Sequence, residues 1–144
     1  MTEGVVCHKT PPASDTLGLP TMPAKPLSAG LTHEATYAVT PDMRPPHVAG
    51  ILSTSRMIGL VEDTCLEVVQ PLLDAGQTTV GTRVDVTHVG TVWAGEAVTV
   101  RIRLAKVTQR RLLSFEVSVE APGGVISTGT HQRMVVDRSR LRRS

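Results

Sequence analysis

The chain has 144 residues, 40% of them hydrophobic, and a formal net charge of +2. That length holds one domain with a real core, and the charge is too small to argue for nucleic acid; the basic residues also lack the interleaved aromatics on which bases stack. No run approaches the ~18 apolar residues of a membrane span, and the first residues show no basic-then-apolar signal pattern, so a cytoplasmic protein is expected.

The aromatics are Tyr37, Trp93 and Phe115 alone, against 20 valines. Valine favours strands, so a sheet should carry most of the core. Residues 1–28 hold five of the ten prolines without periodicity, the composition of a flexible arm. THEATYAVT (32–40) reads as a first strand, ended by Pro41 and Pro45-Pro46. A helix begins near Ser53–Ser55 and closes at Gly76, with Ile58, Val61, Cys65, Val68, Val69 and Leu72 at the spacing of a buried stripe. Pro71 should bend or thin its last turns.

Four strand-like segments follow, roughly 78–89, 96–107, 111–120 and 124–136. The third and fourth of the chain's five strands alternate cleanly: Val98, Val100, Ile102 and Leu104 share one face, and Leu113, Phe115, Val117 and Val119 share another. Short connections at Trp93–Gly95, Thr108–Arg110 and Pro122-Gly123-Gly124 predict a four-stranded antiparallel meander. One strand, one long helix and a meander make an α+β pattern over residues 29–137. A basic tail, 138–144, carries Arg138, Arg140, Arg142 and Arg143; it is either solvated or contacts phosphate.

Two residues break these patterns. Glu62 borders the helix stripe, one turn from Ile58 and Cys65. His88 follows Val80, Thr82, Val84 and Val86 on one face of the second strand, with Arg83, Asp85 and Thr87 on the other. Burying such groups unpaired costs free energy, so a functional site should be sought there first. Of the two cysteines, Cys7 falls in the arm and Cys65 on the stripe, where a small core residue is the simplest reading. No spacing of histidine, cysteine and carboxylate reads as a metal site.

Three segments, ILSTSRMIGLVEDTC (51–65), VGTRVDVTHVG (80–90) and STGTHQRMVV (127–136), resemble the fluoroacetyl-CoA thioesterase family of hotdog-fold enzymes. The resemblance covers roughly residues 31–137. It implies a hotdog fold, an antiparallel sheet wrapped around one central helix, and an acyl-CoA thioesterase that releases a carboxylate and free CoA. CoA would be part of the substrate, with no separate cofactor. It further implies catalytic roles for Thr54, Glu62 and His88, substrate contacts from the Gly81 amide and Arg133, and a homodimer with sites at the subunit interface.

Each of those residues also has a plainer reading. Thr54, like Ser53 or Ser55, suits a helix N-cap, and Gly81 suits a close backbone approach. Arg133 suits a cross-strand pair with Glu116 or Asp85. A non-catalytic hotdog module binding an acyl-CoA or other apolar ligand is the alternative to an enzyme, and a dehydratase or hydratase of enoyl thioesters is a third reading. The chain departs from the family in one segment. Members carry a longer, phenylalanine-bearing lid between first strand and helix, whereas residues 41–52, PDMRPPHVAGIL, contain no aromatic.

Overall fold

A computed structural model describes residues 27–141. Most of the expected arm, and Arg142 and Arg143 of the basic tail, lie outside the described residues. Five strands and one helix follow in the order β1 (Thr32–Ala38), α1 (Thr54–Val69), β2 (Gln77–Val86), β3 (Ala97–Thr108), β4 (Leu112–Ala121) and β5 (Gly124–Asp137). They form one antiparallel sheet in the order β1-β3-β4-β5-β2, curved around α1. This is the expected hotdog arrangement.

The meander is shorter than expected. Only β3, β4 and β5 are successive neighbours; β2 pairs with β5, and β1 takes the free edge of β3. The connection between β2 and β3 is residues 87–96 rather than the short Trp93–Gly95 turn. At up to ~3.3 Å per residue it can carry the chain from the edge strand β2 across β5 and β4 to β3. A three-residue turn signal inside a longer link was therefore misleading.

The inner faces of β3 and β4 bury the alternating sets expected of them, Val98 to Leu104 and Leu113 to Val119. Against them α1 buries Met57, Leu60, Val61, Thr64, Cys65 and Val69. The expected stripe is thus rotated: Ile58, Val68 and Leu72 are only half-buried. The rotation is possible because Thr64 satisfies its hydroxyl inside, on the Leu60 carbonyl at 2.7 Å and the Tyr37 hydroxyl at 2.8 Å. Pro71 ends the α-helical bonding, and the chain continues as a 3-10 turn over Gln70–Leu72. Gly76 does adopt a left-handed φ of +84°, but in the turn into β2 rather than at the helix end. Arg138–Leu141 form a 3-10 turn after β5, tied back by the Arg138 N–H to the Gly76 carbonyl at 2.8 Å.

Candidate active site

The first group of candidate residues forms at the start of α1. Ser53 is the N-cap: its Oγ accepts the Arg56 N–H at 3.1 Å. Thr54, one residue on, is therefore not needed as a cap. Its Oγ1 lies 2.7 Å from His88 Nδ1. His88 Nε2 is buried with no hydrogen-bond partner among the described residues. With Nδ1 accepting the threonine proton, Nε2 carries the other hydrogen and can donate it. A cavity of about 480 Å³ opens beside Thr54, walled also by Pro45, Pro46, Ser53, Ser55 and Arg56.

The second group surrounds Glu62, two turns further along α1. Its Oε2 lies 3.7 Å from Arg133 Nη1. It also lies 2.7 Å from where a Cβ on Gly81 would stand. Glycine thus lets the carboxylate rest directly against the β2 backbone, where a larger residue would displace it. Arg133 is buried, with Nε donating to Thr79 Oγ1 at 2.8 Å and Nη2 to the Thr79 carbonyl at 3.1 Å. Burial pushes the guanidinium's pKa down, opposed by the charge of Glu62. Neither Glu116 nor Asp85 pairs with it; Glu116 is held by Arg103 at 3.1 Å.

A β-bulge makes this packing possible. Gly81 pairs with Arg133 and Arg83 with Gln132, leaving Thr82 unpaired in between. One extra residue flips the side-chain alternation of a strand. Gly81 opposes inward-facing Arg133, and Val84 opposes inward-facing His131. The expected single face from Val80 through His88 is therefore broken at Thr82. The residues before and after it exchange faces.

His131 is the functional candidate that sequence reasoning passed over. It is fully buried, and its Nδ1–H donates to the Arg83 carbonyl at 2.8 Å. That bond fixes the tautomer, so Nε2 accepts from Arg133 Nη1 at 3.1 Å. Phe115 stacks beside it with ring centroids 6.4 Å apart. Burial pushes the imidazole's pKa down, and Arg133 adds to the effect. A neutral histidine thus aims one N–H of Arg133 at Glu62. The only sequence signal was its place two residues before Arg133 on a buried face.

The two groups do not meet within one chain. Among the described residues no hydrogen bond joins Glu62 to Thr54 or His88. Eight residues of helix separate Thr54 from Glu62, ~12 Å along the axis. Cys65 is fully buried below Glu62, and burial pushes its thiol up to about 12, which suits a core residue and not a nucleophile. Among the described residues no three histidines, cysteines or carboxylates are placed to hold a metal ion. No helix there is long and apolar enough to cross a membrane.

Comparison with known proteins bears on the family and the fold. The model of the fluoroacetyl-CoA-specific thioesterase family matches residues 32–139. The fluoroacetyl-CoA thioesterase of Streptantibioticus cattleyicolor is 37% identical over 86 residues, which is 60% of this chain and 61% of that protein. The chain thus matches less than two thirds of that relative's length. A structure of the fluoroacetyl-CoA thioesterase superposes with a TM-score of 0.77 at 28% identity, over 81% of this chain and 93% of that one. A point variant of that enzyme, in complex with fluoroacetate and CoA, gives 0.75 at 28% identity over 81% and 100%. A thioesterase superfamily member from Thermus thermophilus gives 0.73 at 21% identity over 82% and 90%, a likeness of fold alone.

Proposed function

The chain belongs to the fluoroacetyl-CoA-specific thioesterase family, and we propose that it hydrolyses an acyl-CoA thioester to a carboxylate and free CoA. The observation that carries this reading is the Thr54–His88 contact of 2.7 Å, with Thr54 lining a cavity, together with a carboxylate beside a buried arginine. A module that only bound its ligand would need the cavity but not a hydroxyl paired to an imidazole.

Glu62 acts as base toward water, or attacks the carbonyl directly to form an anhydride. In the first route water oxygen bonds to the thioester carbon and Glu62 takes its proton. The C–S bond then breaks and the thiolate leaves. His88 hydrogen-bonds the departing sulfur through its Nε2–H, Thr54 holds the imidazole in register, and the proton that Glu62 took from water passes to the thiolate, which restores the carboxylate. The Gly81 backbone amide is a candidate donor to the oxyanion, since no side chain screens it. Single turnover in heavy-oxygen water tests the second route: label on Glu62 requires an anhydride opened by water at the Glu62 carbonyl, since the general-base route puts all label in the product.

A homodimer gives the two groups a way to meet. β2 is an edge strand, and residues 81–85 on it are exposed. Antiparallel pairing with a second copy centred between Val84 and Asp85 would set His88 of one chain opposite Gly81 of the other, beside its Glu62. The free thiol of Cys65 and an acyl-CoA substrate both fit a cytoplasmic enzyme. A hydrolysis screen over acyl-CoAs of graded length, read by free thiol, tests the reading. Tight binding without any thiol release would overturn it in favour of a binding module.

A further inference from the structure

The pairing of β2 with β5 continues past the end of β2. The Thr87 N–H donates to the Thr128 carbonyl at 3.0 Å, and the Val89 N–H to the Ile126 carbonyl at 2.7 Å. These bonds extend the register in which Val86 pairs with Gly129, so His88 stands opposite Ser127. Because the bonds fall on either side of them, His88 and Ser127 form a non-hydrogen-bonded pair. Their Cα atoms are then ~4.5 Å apart, and their side chains lie on one face at the closest approach a ladder offers. That face is the inner one, since Ser127 shares the alternation of His131 and Arg133 on β5 and is 1% exposed.

Ser127 Oγ and His88 Nε2 are both buried, and both lack a hydrogen-bond partner among the described residues. Val119, which pairs with Ser127 on β4, is buried and apolar, so its side chain offers the hydroxyl nothing. A buried hydroxyl without a partner destabilises a fold, and alanine would be the simpler residue at 127. The two unmatched atoms are complementary. With Nδ1 facing Thr54 Oγ1 at 2.7 Å, Nε2 carries a hydrogen, and Ser127 Oγ has lone pairs to receive it. Serine reaches a new partner by turning about one bond, from one staggered rotamer to the next. We propose that Ser127 is a positioning residue for His88. Its Oγ accepts the Nε2–H in the free enzyme and, with Thr54 on the other nitrogen, fixes both the ring and its tautomer. The inference rests on the thioesterase reading. During the reaction the departing thiolate is charged and is the stronger acceptor, so it takes the hydrogen bond over from the neutral hydroxyl. Ser127 thus keeps the donor in place without withholding it from the sulfur.

The test reads the tautomer and the kinetics together in wild type, Ser127→Ala and Ser127→Thr. Nitrogen NMR of protein labelled in its histidine rings reports which ring nitrogen carries the hydrogen, and His88→Gln identifies the His88 signals among the chain's five histidines. Wild type should show His88 as the Nε2–H tautomer. Ser127→Ala should show a mixture of tautomers, with kcat on an acyl-CoA down ~10-fold and KM nearly unchanged, the pattern of a lost orienting contact rather than lost binding. Ser127→Thr restores the hydroxyl and should recover most of both. Wild type with the hydrogen on Nδ1 would overturn the inference. So would a Ser127→Ala protein that keeps the wild-type tautomer, whatever happens to its kcat or thermal transition, because the hydroxyl would then not be what fixes the ring. The tautomer needs no turnover to be read. A shift in Ser127→Ala alongside wild-type protein that releases no thiol from any acyl-CoA would sink the thioesterase reading and spare the Ser127–His88 contact.

Discussion

Glu62 and Arg133 form an unequal pair. The arginine side chain is 7% exposed and the glutamate 40%, at a separation of 3.7 Å. Arg133 is held mainly by Thr79 and His131, so losing the charge at Glu62 should leave the fold in place. Glu62→Gln should then remove nearly all thioesterase activity, ~10²-fold or more, with an unfolding curve close to wild type. Asp63→Asn, on the exposed side of the helix, should be nearly silent in the same assay. Residual activity within a few-fold of wild type in Glu62→Gln would make the residue structural. His131 carries a separate prediction. Its pKa is lowered in the fold, so the unfolded chain binds the proton more readily. Stability is full above the unfolded value of about 6.5 and is lost as pH falls from there through the folded value. Protonation also removes the acceptor that Arg133 Nη1 uses. Urea midpoints at pH ~7.5 and ~5.5 should drop with pH in wild type and drop less in His131→Gln.

At the start of α1, capping and chemistry fall on adjacent hydroxyls. Ser53→Ala should cost ~1 kcal/mol of stability, the usual worth of an N-cap, and leave activity largely intact. Thr54→Ala should do the reverse, with a large fall in kcat and a small change in the denaturation midpoint. Equal effects of the two on stability alone would deny Thr54 a chemical role. Sequence periodicity left that choice open among three hydroxyls, because an N-cap and its neighbour look alike until a hydrogen-bond partner is known. The same limit explains other differences. β3 and β4 were legible because every second residue is a large aliphatic or Phe115, and period two has no competing interpretation there. β2 was not, since a bulge at Thr82 reverses its faces without any mark in the alternation of TTVGTRVDV. Nor was the pairing of β2 with β5, which depends on where a ten-residue link leads rather than on any local signal. Glu62 and His88 stood out as polar residues near apolar positions. His131 and Thr64 did not, because their burial depends in part on partners distant in sequence, the Arg83 carbonyl and the Tyr37 hydroxyl.

The outermost strand β2 bears exposed Val84 at 39%, and Val89 just beyond it stands at 60%. An unpaired edge of this kind is a template for a second strand. Sedimentation at micromolar concentration should show at least a dimer, and a dissociated monomer that remained active would deny a shared site. The acyl end of the molecule leads to the last expectation. Residues 41–52 begin as a 3-10 turn at Pro41–Met43 and contribute Pro45 and Pro46, but no aromatic ring, to the cavity at Thr54. Trp93 lies over Gly50 near that segment's end and is 56% exposed. Phe115 is buried against His131 on the sheet. Telling fluorine from hydrogen requires a closed, dry pocket in which a small dipolar difference is felt strongly. A cavity of about 480 Å³ walled by prolines and arginines is not that pocket. The enzyme should therefore discriminate weakly between acetyl-CoA and fluoroacetyl-CoA. It should instead favour longer acyl groups, by ~0.8 kcal/mol for each methylene buried until the cavity is full. Specificity constants for acetyl-, fluoroacetyl- and medium-chain acyl-CoA decide the matter. A preference of ~10⁴ for the fluorinated substrate, equivalent to ~5.5 kcal/mol, would mean that an aromatic lid is not what confers the selectivity.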